Sequence, residues 1–187
     1  MADHSDHAGA AGADLSDQDL RVRAVATLAT ERGGVEASVL DSFIDVYVAR
    51  VAPQQDAAAG PLPDDASVTP AALGAKAMMA IPRDGEGPLF RDRWEALAFV
   101  VAMMLEQRGV FTWTEWAEAF GTEIRRARAA GTGDTYYETW LSALERLVGE
   151  KGIADRATLM RYRHAWDQAA ARTMPGDEIA LRPDDFA

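Results

Sequence analysis

The stretch that decides the fold is residues 89–152, which read LFRDRWEALAFVVAMMLEQRGVFTWTEWAEAFGTEIRRARAAGTGDTYYETWLSALERLVGEKG. It holds four of the five tryptophans, two adjacent tyrosines and most of the large aliphatic residues. The apolar residues recur three and four positions apart, which is the spacing of one face of an α-helix. The stretch therefore predicts several helices packed around an aromatic core.

The first helix of this stretch is predicted to follow Phe90 and to end at Gly109. Asp92 and Glu95 have the spacing of a capping pair at its start. Its tryptophan, phenylalanine, valines, methionines and leucines cover nearly every face, and a helix that is apolar all round is a buried one. We therefore expect this helix to be the centre of the core.

Three more helices are predicted after it. One opens at Thr112, with Glu115 three residues later in a capping-box spacing. The next runs from Tyr136 to about Glu150, and the last starts near Asp155. Together with the first helix they predict a body of about four helices over residues 89–187.

The N-terminal part predicts two further helices that form a hairpin over residues 15–53. Residues 16–32 begin with a capping box at Ser16 and carry a narrow apolar stripe of Leu20, Ala24 and Leu28. Residues 36–51 carry a wider stripe and stop at Pro53. Two such helices cannot bury their stripes on each other alone. The hairpin therefore needs another surface.

The remaining segments predict little regular structure. Residues 1–14 are mostly alanine, glycine, aspartate and histidine, which is typical of a disordered tail. Six of the eight prolines fall within residues 53–88, so residues 54–88 indicate a linker with a short helix near 71–79. No segment alternates with period two, so no sheet is expected. The predicted fold class is all-α: a compact helical domain with an N-terminal hairpin arm on a linker rich in proline, alanine and glycine.

Composition excludes several classes of function. The net charge of −11 disfavours nucleic-acid binding, which needs a basic surface. The absence of cysteine excludes disulfides, thiolate metal ligands and a cysteine nucleophile. The longest apolar run is far shorter than the roughly 20 residues of a membrane helix, and the N-terminus lacks the apolar region of a signal peptide. We expect a soluble, cytoplasmic protein that binds neither nucleic acid nor membrane.

No catalytic or metal-binding constellation is apparent. The chain has three histidines, and none lies in a known catalytic motif. If Met1 is removed, the terminus Ala2-Asp3-His4 offers nitrogen ligands that can hold Cu(II) or Ni(II) in a square plane. The simpler interpretation is a polar tail with incidental histidines, and we assign no catalytic and no metal residue.

The aromatic residues are the remaining candidates for function. Tryptophan and tyrosine are favoured at binding surfaces because a large apolar ring carries a polar group, but core packing uses the same side chains. Both interpretations are open from the residues alone. The candidate partner-binding set is Phe90, Trp94, Trp113, Trp116, Tyr136, Tyr137 and Trp140.

Several motifs resemble the nitrile hydratase accessory proteins, small activators related to the N-terminal helical part of the hydratase β subunit. These motifs are Ile81-Pro82-Arg83-Asp84, Gly87-Pro88-Leu89-Phe90, Trp94-Glu95-Ala96-Leu97-Ala98-Phe99, Arg108-Gly109-Val110-Phe111-Thr112-Trp113-Thr114-Glu115-Trp116 and Tyr136-Tyr137-Glu138-Thr139-Trp140-Leu141. The tail from Leu159 to Gly176 is also similar. The resemblance implies a protein that holds the α subunit of such an enzyme and assists metal insertion.

A second resemblance concerns the N-terminal hairpin. Residues 16–52 are similar to the helical N-terminal arm of the hydratase α subunit. The cysteine claw of that subunit, which holds iron or cobalt, cannot exist in this chain. The resemblance implies that the metal belongs to the client enzyme, and that the arm either clasps its own body or swaps between copies.

One departure from the family separates two functional hypotheses. In catalytic β subunits an arginine on the helix after the Gly-Phe turn bonds the oxidised metal-ligand cysteines, and the matching residue here is Ala117. This favours an accessory protein that binds the α subunit. The alternative is a β-like subunit of a split nitrile hydratase or a thiocyanate hydrolase-like enzyme that carries no catalytic centre. A helical interaction protein with a new partner is a third possibility.

Overall fold

The computed structural model describes residues 15–48, 69–79, 83–84, 87–88, 90–132 and 135–187. Within these ranges the chain is helical almost throughout, and the all-α prediction is confirmed. The described helices are α1 (Asp17–Arg32), α2 (Ala37–Val48), α3 (Pro70–Met79), α4 (Arg93–Gln107), α5 (Trp113–Ala130), α6 (Tyr136–Glu150) and α7 (Arg156–Arg172), followed by a 3₁₀ turn at Pro183–Phe186.

One detail differs from the expectation that no sheet would form. Strands β1 (Arg83–Asp84) and β2 (Gly87–Pro88) pair in antiparallel fashion, with Arg83 opposite Pro88. A ladder of two residues on each side is too short to form a layer of the fold. The architecture therefore remains a helical bundle.

The predicted helix starts at Ser16, Thr112, Tyr136 and Asp155 are confirmed. Ser16, Thr112 and Thr135 each begin a helix with a complete capping box. The backbone N–H of Thr112, for example, donates to the Glu115 carboxylate at 2.7 Å. These caps satisfy N–H groups that the first turn of a helix leaves without an intrahelical partner.

The predicted capping pair of Asp92 and Glu95 is only half correct. The Asp92 side chain makes no cap hydrogen bond. Glu95 accepts instead from the backbone N–H of Arg91 at 2.6 Å, and its side chain is buried. Glu95 thus belongs to the inside of the protein and not to a solvated first turn.

Helix α4 is the centre of the bundle, as its all-round apolar sequence predicts. It packs against α1, α2 and α6. Six of its residues have no exposed surface, and they lie on more than one face of the helix: Ala96, Ala98, Val100, Val101, Ala102 and Leu105. A central helix of this kind lets several outer helices bury their apolar faces on one element.

Helix α1 is buried more completely than the predicted stripe of Leu20, Ala24 and Leu28. Val22, Val25, Ala26 and Ala29 are buried as well, so the predicted stripe is too narrow. The reason is that α1 contacts α4, α6 and α7 together, and three neighbours cover more than one face.

Polar contacts also fix α1 to the body of the same chain. The Arg21 guanidinium donates to the Glu145 carboxylate at 2.7 and 2.9 Å. The Tyr162 hydroxyl donates to Glu31 at 2.5 Å, and Trp166 Nε1 donates to the Thr27 hydroxyl at 3.1 Å. These contacts join α1 to the body within the described chain.

Helix α2 packs on α4, where Leu40 is buried. The division of the chain into a tail at 1–14, an arm at 15–53, a linker at 54–88 and a body at 89–187 stays a prediction. Residues 1–14, which include the Ala2-Asp3-His4 terminus, and residues 49–68 lie outside the described part of the chain.

Helix α3 confirms the predicted short helix within residues 71–79, and it packs closely along α5. A Cβ atom built on Gly74 would lie 1.7 Å from the Ala117 carbonyl oxygen, and one on Gly121 would lie 1.7 Å from the Pro70 carbonyl oxygen. Only glycine permits two backbones to approach this closely.

Among the described helices, none combines the length and the apolar character needed to cross a membrane.

Candidate partner-binding site

Six of the seven residues predicted to bind a partner lie in one connected aromatic cluster that involves α4, α5 and α6, and the seventh, Trp94, lies in the surrounding core. Trp116 and Trp140 lie at its centre, with ring centroids 4.4 Å apart. Phe120 packs edge-on against Tyr136 at 5.2 Å. Phe90 joins from the segment before α4, 5.5 Å from the Tyr137 ring. Tilted and edge-on arrangements at these distances are the favoured geometries of aromatic packing.

Six of the seven predicted residues are buried within the chain itself. Trp94 is the most exposed of these six, at 8% of its surface, and Trp116 and Trp140 have no exposed surface. In the isolated chain these side chains therefore pack the helices together. Their assignment to partner binding stays a prediction, and it would require the core to open.

Trp113 is the exception in the set. It lies at the first position of α5 and is only partly buried, with its ring at 81° to the Trp116 ring and 6.2 Å away. The side chains of Thr114 and Glu118, on the same helix, are both exposed. Trp113 thus joins the buried aromatic cluster to the surface of the protein.

The two central indoles differ in their hydrogen bonding. Trp140 Nε1 donates to the Ala98 carbonyl of α4 at 3.4 Å, which ties α6 to the central helix. Trp116 Nε1 is buried and has no hydrogen-bond partner among the described residues. A buried donor without an acceptor lowers stability by about 1–3 kcal/mol. The cluster is therefore held mainly by packing and not by polar contacts.

Ala117 lies beneath α3. Its side chain is 6% exposed, and its carbonyl oxygen is the atom that the backbone of Gly74 approaches. Ala117 is therefore part of the close backbone contact between α5 and α3. The surface of α5 around Ala117 is consequently covered by a helix of the same chain.

Two carboxyl groups near the cluster have shifted acidities. Burial raises the pKa of Glu95 to about 7, with the nearby Asp92 carboxylate adding to the rise and the Arg91 backbone N–H opposing it. On the surface, the ammonium group of Lys151, 2.5 Å away, lowers the pKa of Glu115 to about 2. Glu95 is therefore the one of the two that titrates near neutral pH.

Within the described residues, no group of three or more histidine, aspartate or glutamate side chains is placed to hold a metal ion. The sequence supplies no cysteine elsewhere. His164 is exposed on α7.

Sequence reasoning missed the covering role of α3 and the buried state of Glu95. The contact of α3 with α5 could have been predicted from the sequence. Gly74 and Gly121 are glycines inside otherwise helical patterns, and such glycines often have a packing role. No signal existed for Glu95, whose position in the first turn is typical of a solvated capping residue.

Comparison with known proteins gives one match. Residues 71–182, more than half of the chain, match the family described as nitrile hydratase beta subunit, N-terminal. The matched segment begins in α3 and includes helices α4, α5, α6 and α7 in full. No curated protein and no solved structure matches the chain. The chain belongs to the family of the nitrile hydratase β subunit N-terminal domain.

Proposed function

We propose that this chain is an accessory protein that binds the α subunit of a nitrile hydratase-like metalloenzyme and assists metal insertion and assembly. The observation that carries the proposal is Ala117. By the family resemblance an arginine at this position supports turnover, whereas here the residue is small, buried and covered by α3. The absence of this arginine suits a protein that holds the α subunit without forming the active centre.

Trp113 is the residue best placed to contact the partner. It is the one member of the predicted set that is only partly buried, and its inner edge rests on the rigid cluster through Trp116. An aromatic side chain that is fixed on one side and accessible on the other loses little conformational entropy on binding. The docking surface proposed here is therefore the N-terminal end of α5.

The metal, cobalt or iron, belongs to the partner in this proposal. Thiolates are the ligands that the α subunit is expected to supply, and this chain has none. The contribution of this chain is to hold the α subunit in a β-like contact while the metal enters, and then to leave.

Co-expression tests the proposal directly. The α subunit is produced alone, with this chain, and with a Trp113→Ala variant of this chain, and its metal content is measured after purification. We expect metal occupancy to rise with the intact chain and to fall back with the variant. Equal occupancy in all three preparations would refute an accessory role.

The same preparations distinguish the alternative, a β-like subunit of a split nitrile hydratase or thiocyanate hydrolase-like enzyme. An accessory protein leaves the mature enzyme, whereas a subunit remains in a fixed ratio. Quantitative mass spectrometry of the purified active enzyme measures that ratio. A ratio of one chain per α subunit would favour the alternative.

A further inference from the structure

A second surface of the molecule has the shape and charge of a binding cleft. The cleft lies over α6 and is bounded by the C-terminal half of α5 on one side and by α1 and α7 on the other, with a volume of about 780 Å³. Neither Trp113 nor Ala117 lines it. It is therefore separate from the docking surface proposed above, and an inference about it does not depend on that proposal.

Small residues form part of the lining of the cleft. Gly149 of α6 and Ala127 of α5 line it. A Cβ atom on Gly149 would meet only the Ala154 carbonyl oxygen, at 3.7 Å, so the space above this glycine is open. A chain segment can therefore approach the α6 backbone here.

The charge of the cleft differs from that of the whole chain. The chain has a net charge of −11. The cleft is lined by more arginines than carboxylates, and the arginines are Arg21, Arg126, Arg146, Arg156 and Arg163. The facing carboxylates are Asp17, Glu123, Glu145 and Glu150. The lining has one more arginine than carboxylate, so it is less negative than the rest of the chain and repels an acidic ligand less.

Three of the five arginines are already held by carboxylates of the same chain. Arg21 pairs with Glu145 at 2.7 Å, and Arg163 pairs with Asp17. Arg146 bonds the buried Glu123 at 3.2 Å and Glu150 at 2.8 Å. These pairs fix the walls of the cleft but leave little capacity for a ligand.

The other two arginines, Arg126 and Arg156, can bind a ligand. Arg126 is 76% exposed, and its only ion pair in the described residues is a long contact of 3.9 Å to Glu123, a carboxylate that Arg146 already binds. Arg156 is exposed at the start of α7 and has no ion pair within the described part of the chain. The two guanidinium groups lie on opposite walls, one on α5 and one on α7.

An apolar side chain lies beside them. Met160 is 59% exposed and lines the cleft one helical turn after Arg156, next to the partly buried Leu159. Methionine is a flexible, polarisable side chain that is common on surfaces which bind helical or extended peptides. The cleft thus combines two available cations, an exposed thioether and a floor of small residues.

We propose that this cleft binds an acidic amphipathic segment of a partner protein. Carboxylates of the segment accept hydrogen bonds from Arg126 and Arg156, and an apolar residue of the segment packs on Met160. Four carboxylates in the cleft and the negative charge of the chain disfavour a nucleic acid, which presents phosphates at every position. A peptide can carry carboxylates only at the positions that face Arg126 and Arg156, and uncharged residues at the positions that face the carboxylates of the cleft.

The experiment uses the full chain and a fluorescein-labelled helical peptide of about 14 residues, roughly four turns. The peptide carries glutamate and leucine at positions four apart, with alanine and glutamine elsewhere. A second peptide has glutamine in place of every glutamate. Fluorescence anisotropy is measured at about 0.15 M salt, where the screening length of about 8 Å suppresses repulsion from the distant acidic surface.

Matched variants of the chain isolate the cleft. Arg126→Gln and Arg156→Gln should each raise the Kd of the glutamate peptide about threefold to tenfold, the range expected when a partly exposed charged hydrogen bond is lost. Arg125→Gln changes the neighbouring exposed arginine of α5, which does not line the cleft, and should leave Kd unchanged. Met160→Ser should weaken binding, whereas Met174→Ser, at a methionine that is 63% exposed elsewhere, should not.

Several results would overturn the proposal. Equal affinity for the glutamine peptide would show that the arginines play no part. An equal loss with Arg125→Gln would indicate a diffuse charge effect, and displacement of the peptide by a short single-stranded oligonucleotide at the same concentration would indicate a general anion surface. Absence of saturable binding would exclude the site. Circular dichroism of each variant confirms that the helices are intact.

Discussion

Trp113 and Trp116 lie three positions apart on α5, yet only Trp113 keeps part of its ring at the surface. Helical spacing puts both residues on the same side of the helix. The difference arises because Trp116 points at Trp140 of α6, whereas Trp113 lies in the first turn, beyond the edge of that contact. Trp113 is therefore the one member of the predicted set whose ring stays partly accessible in the described structure.

Replacing Trp113 with alanine is expected to weaken binding of the α subunit about tenfold or more, because partly buried tryptophans at interfaces are often dominant contacts. Isothermal titration calorimetry with the purified α subunit measures the change. Met174→Ala, at an exposed site on the segment after α7, serves as the control and should leave the affinity unaltered. An unchanged affinity for the Trp113→Ala variant would remove Trp113 from the interface.

Glu95 provides a prediction about pH. Its pKa is raised from the ordinary value of 4.5 to about 7 by burial. Between these two values the folded chain binds more protons at this site than the unfolded chain, so the free energy of unfolding falls as pH rises through that window. The wild-type chain should therefore be more stable near pH 5 than near pH 8, as far as this residue is concerned.

The variant Glu95→Gln isolates this effect. An amide oxygen can still accept from the Arg91 N–H, but it carries no charge to desolvate. We expect the variant to be more stable than the wild type at pH 8, by at most about 3 kcal/mol, and nearly equal to it at pH 5. Urea unfolding at both pH values measures the difference. If the difference in free energy of unfolding between variant and wild type is the same at both pH values, Glu95 does not titrate in this window.

At the scale of elements, the contact between α3 and α5 is the feature with the sharpest consequence. Helix α3 has ten residues, and an isolated helix of that length is marginal in water. Its described packing is almost entirely on α5, through the glycines at positions 74 and 121. The stability of α3 therefore depends on how closely two backbones can approach.

Gly74→Ala is expected to loosen α3. The added Cβ would lie 1.7 Å from the backbone oxygen of Ala117, and a backbone atom cannot move aside as a flexible side chain can. We expect a loss of about 1–3 kcal/mol from overpacking and faster amide hydrogen exchange over residues 70–79, read by mass spectrometry.

Gly149→Ala is the matched control for this experiment, because it is also a glycine within a helix. Its added Cβ would meet a single atom at an ordinary contact distance of 3.7 Å. Since alanine is the better helix former, this variant should be neutral or more stable by about 0.5–1 kcal/mol. Unchanged exchange in α3 of the Gly74→Ala variant would show that the close approach is not needed.

The elements themselves were largely predictable. Capping residues at Ser16, Thr112 and Asp155 and the left-handed glycine at Gly109 mark helix ends through local backbone chemistry, so sequence alone reveals them. Asp92 shows where such reasoning fails. Its pattern resembles a cap, but burial of Glu95 against the core decides which hydrogen bonds form.

At the scale of the whole molecule, α1 is part of the same packed core as the body. Leu28 and Ala29 of α1 have no exposed surface, and three other helices supply their neighbours. An amphipathic arm that only touched the body would leave more of its faces in water. The described part of the chain should therefore unfold with α1 and the body together.

Leu28→Ala tests this cooperation. Removing a fully buried leucine side chain should cost about 2–5 kcal/mol, and the loss should appear in one transition. Tryptophan fluorescence reports the body, and hydrogen exchange over residues 17–32 reports α1. Val46→Ala, at a 62% exposed site on α2, should change stability by no more than about 0.5 kcal/mol. Early exchange of α1 without loss in the body would mean that the two are separate units.

The sequence by itself determined the all-α class, the positions of the helices and the central place of α4. These depend on periodicity, caps and apolar content, which are local properties. Its motifs also indicated a relation to the nitrile hydratase β subunit N-terminal domain, which the match over residues 71–182 supports, whereas the accessory role stays a proposal. Tertiary structure alone decided that Trp116 and Trp140 face each other, that α3 covers Ala117, and that Arg126 and Arg156 share a cleft. Those outcomes depend on how distant segments meet, and helical spacing fixes which residues share a face but not what that face touches.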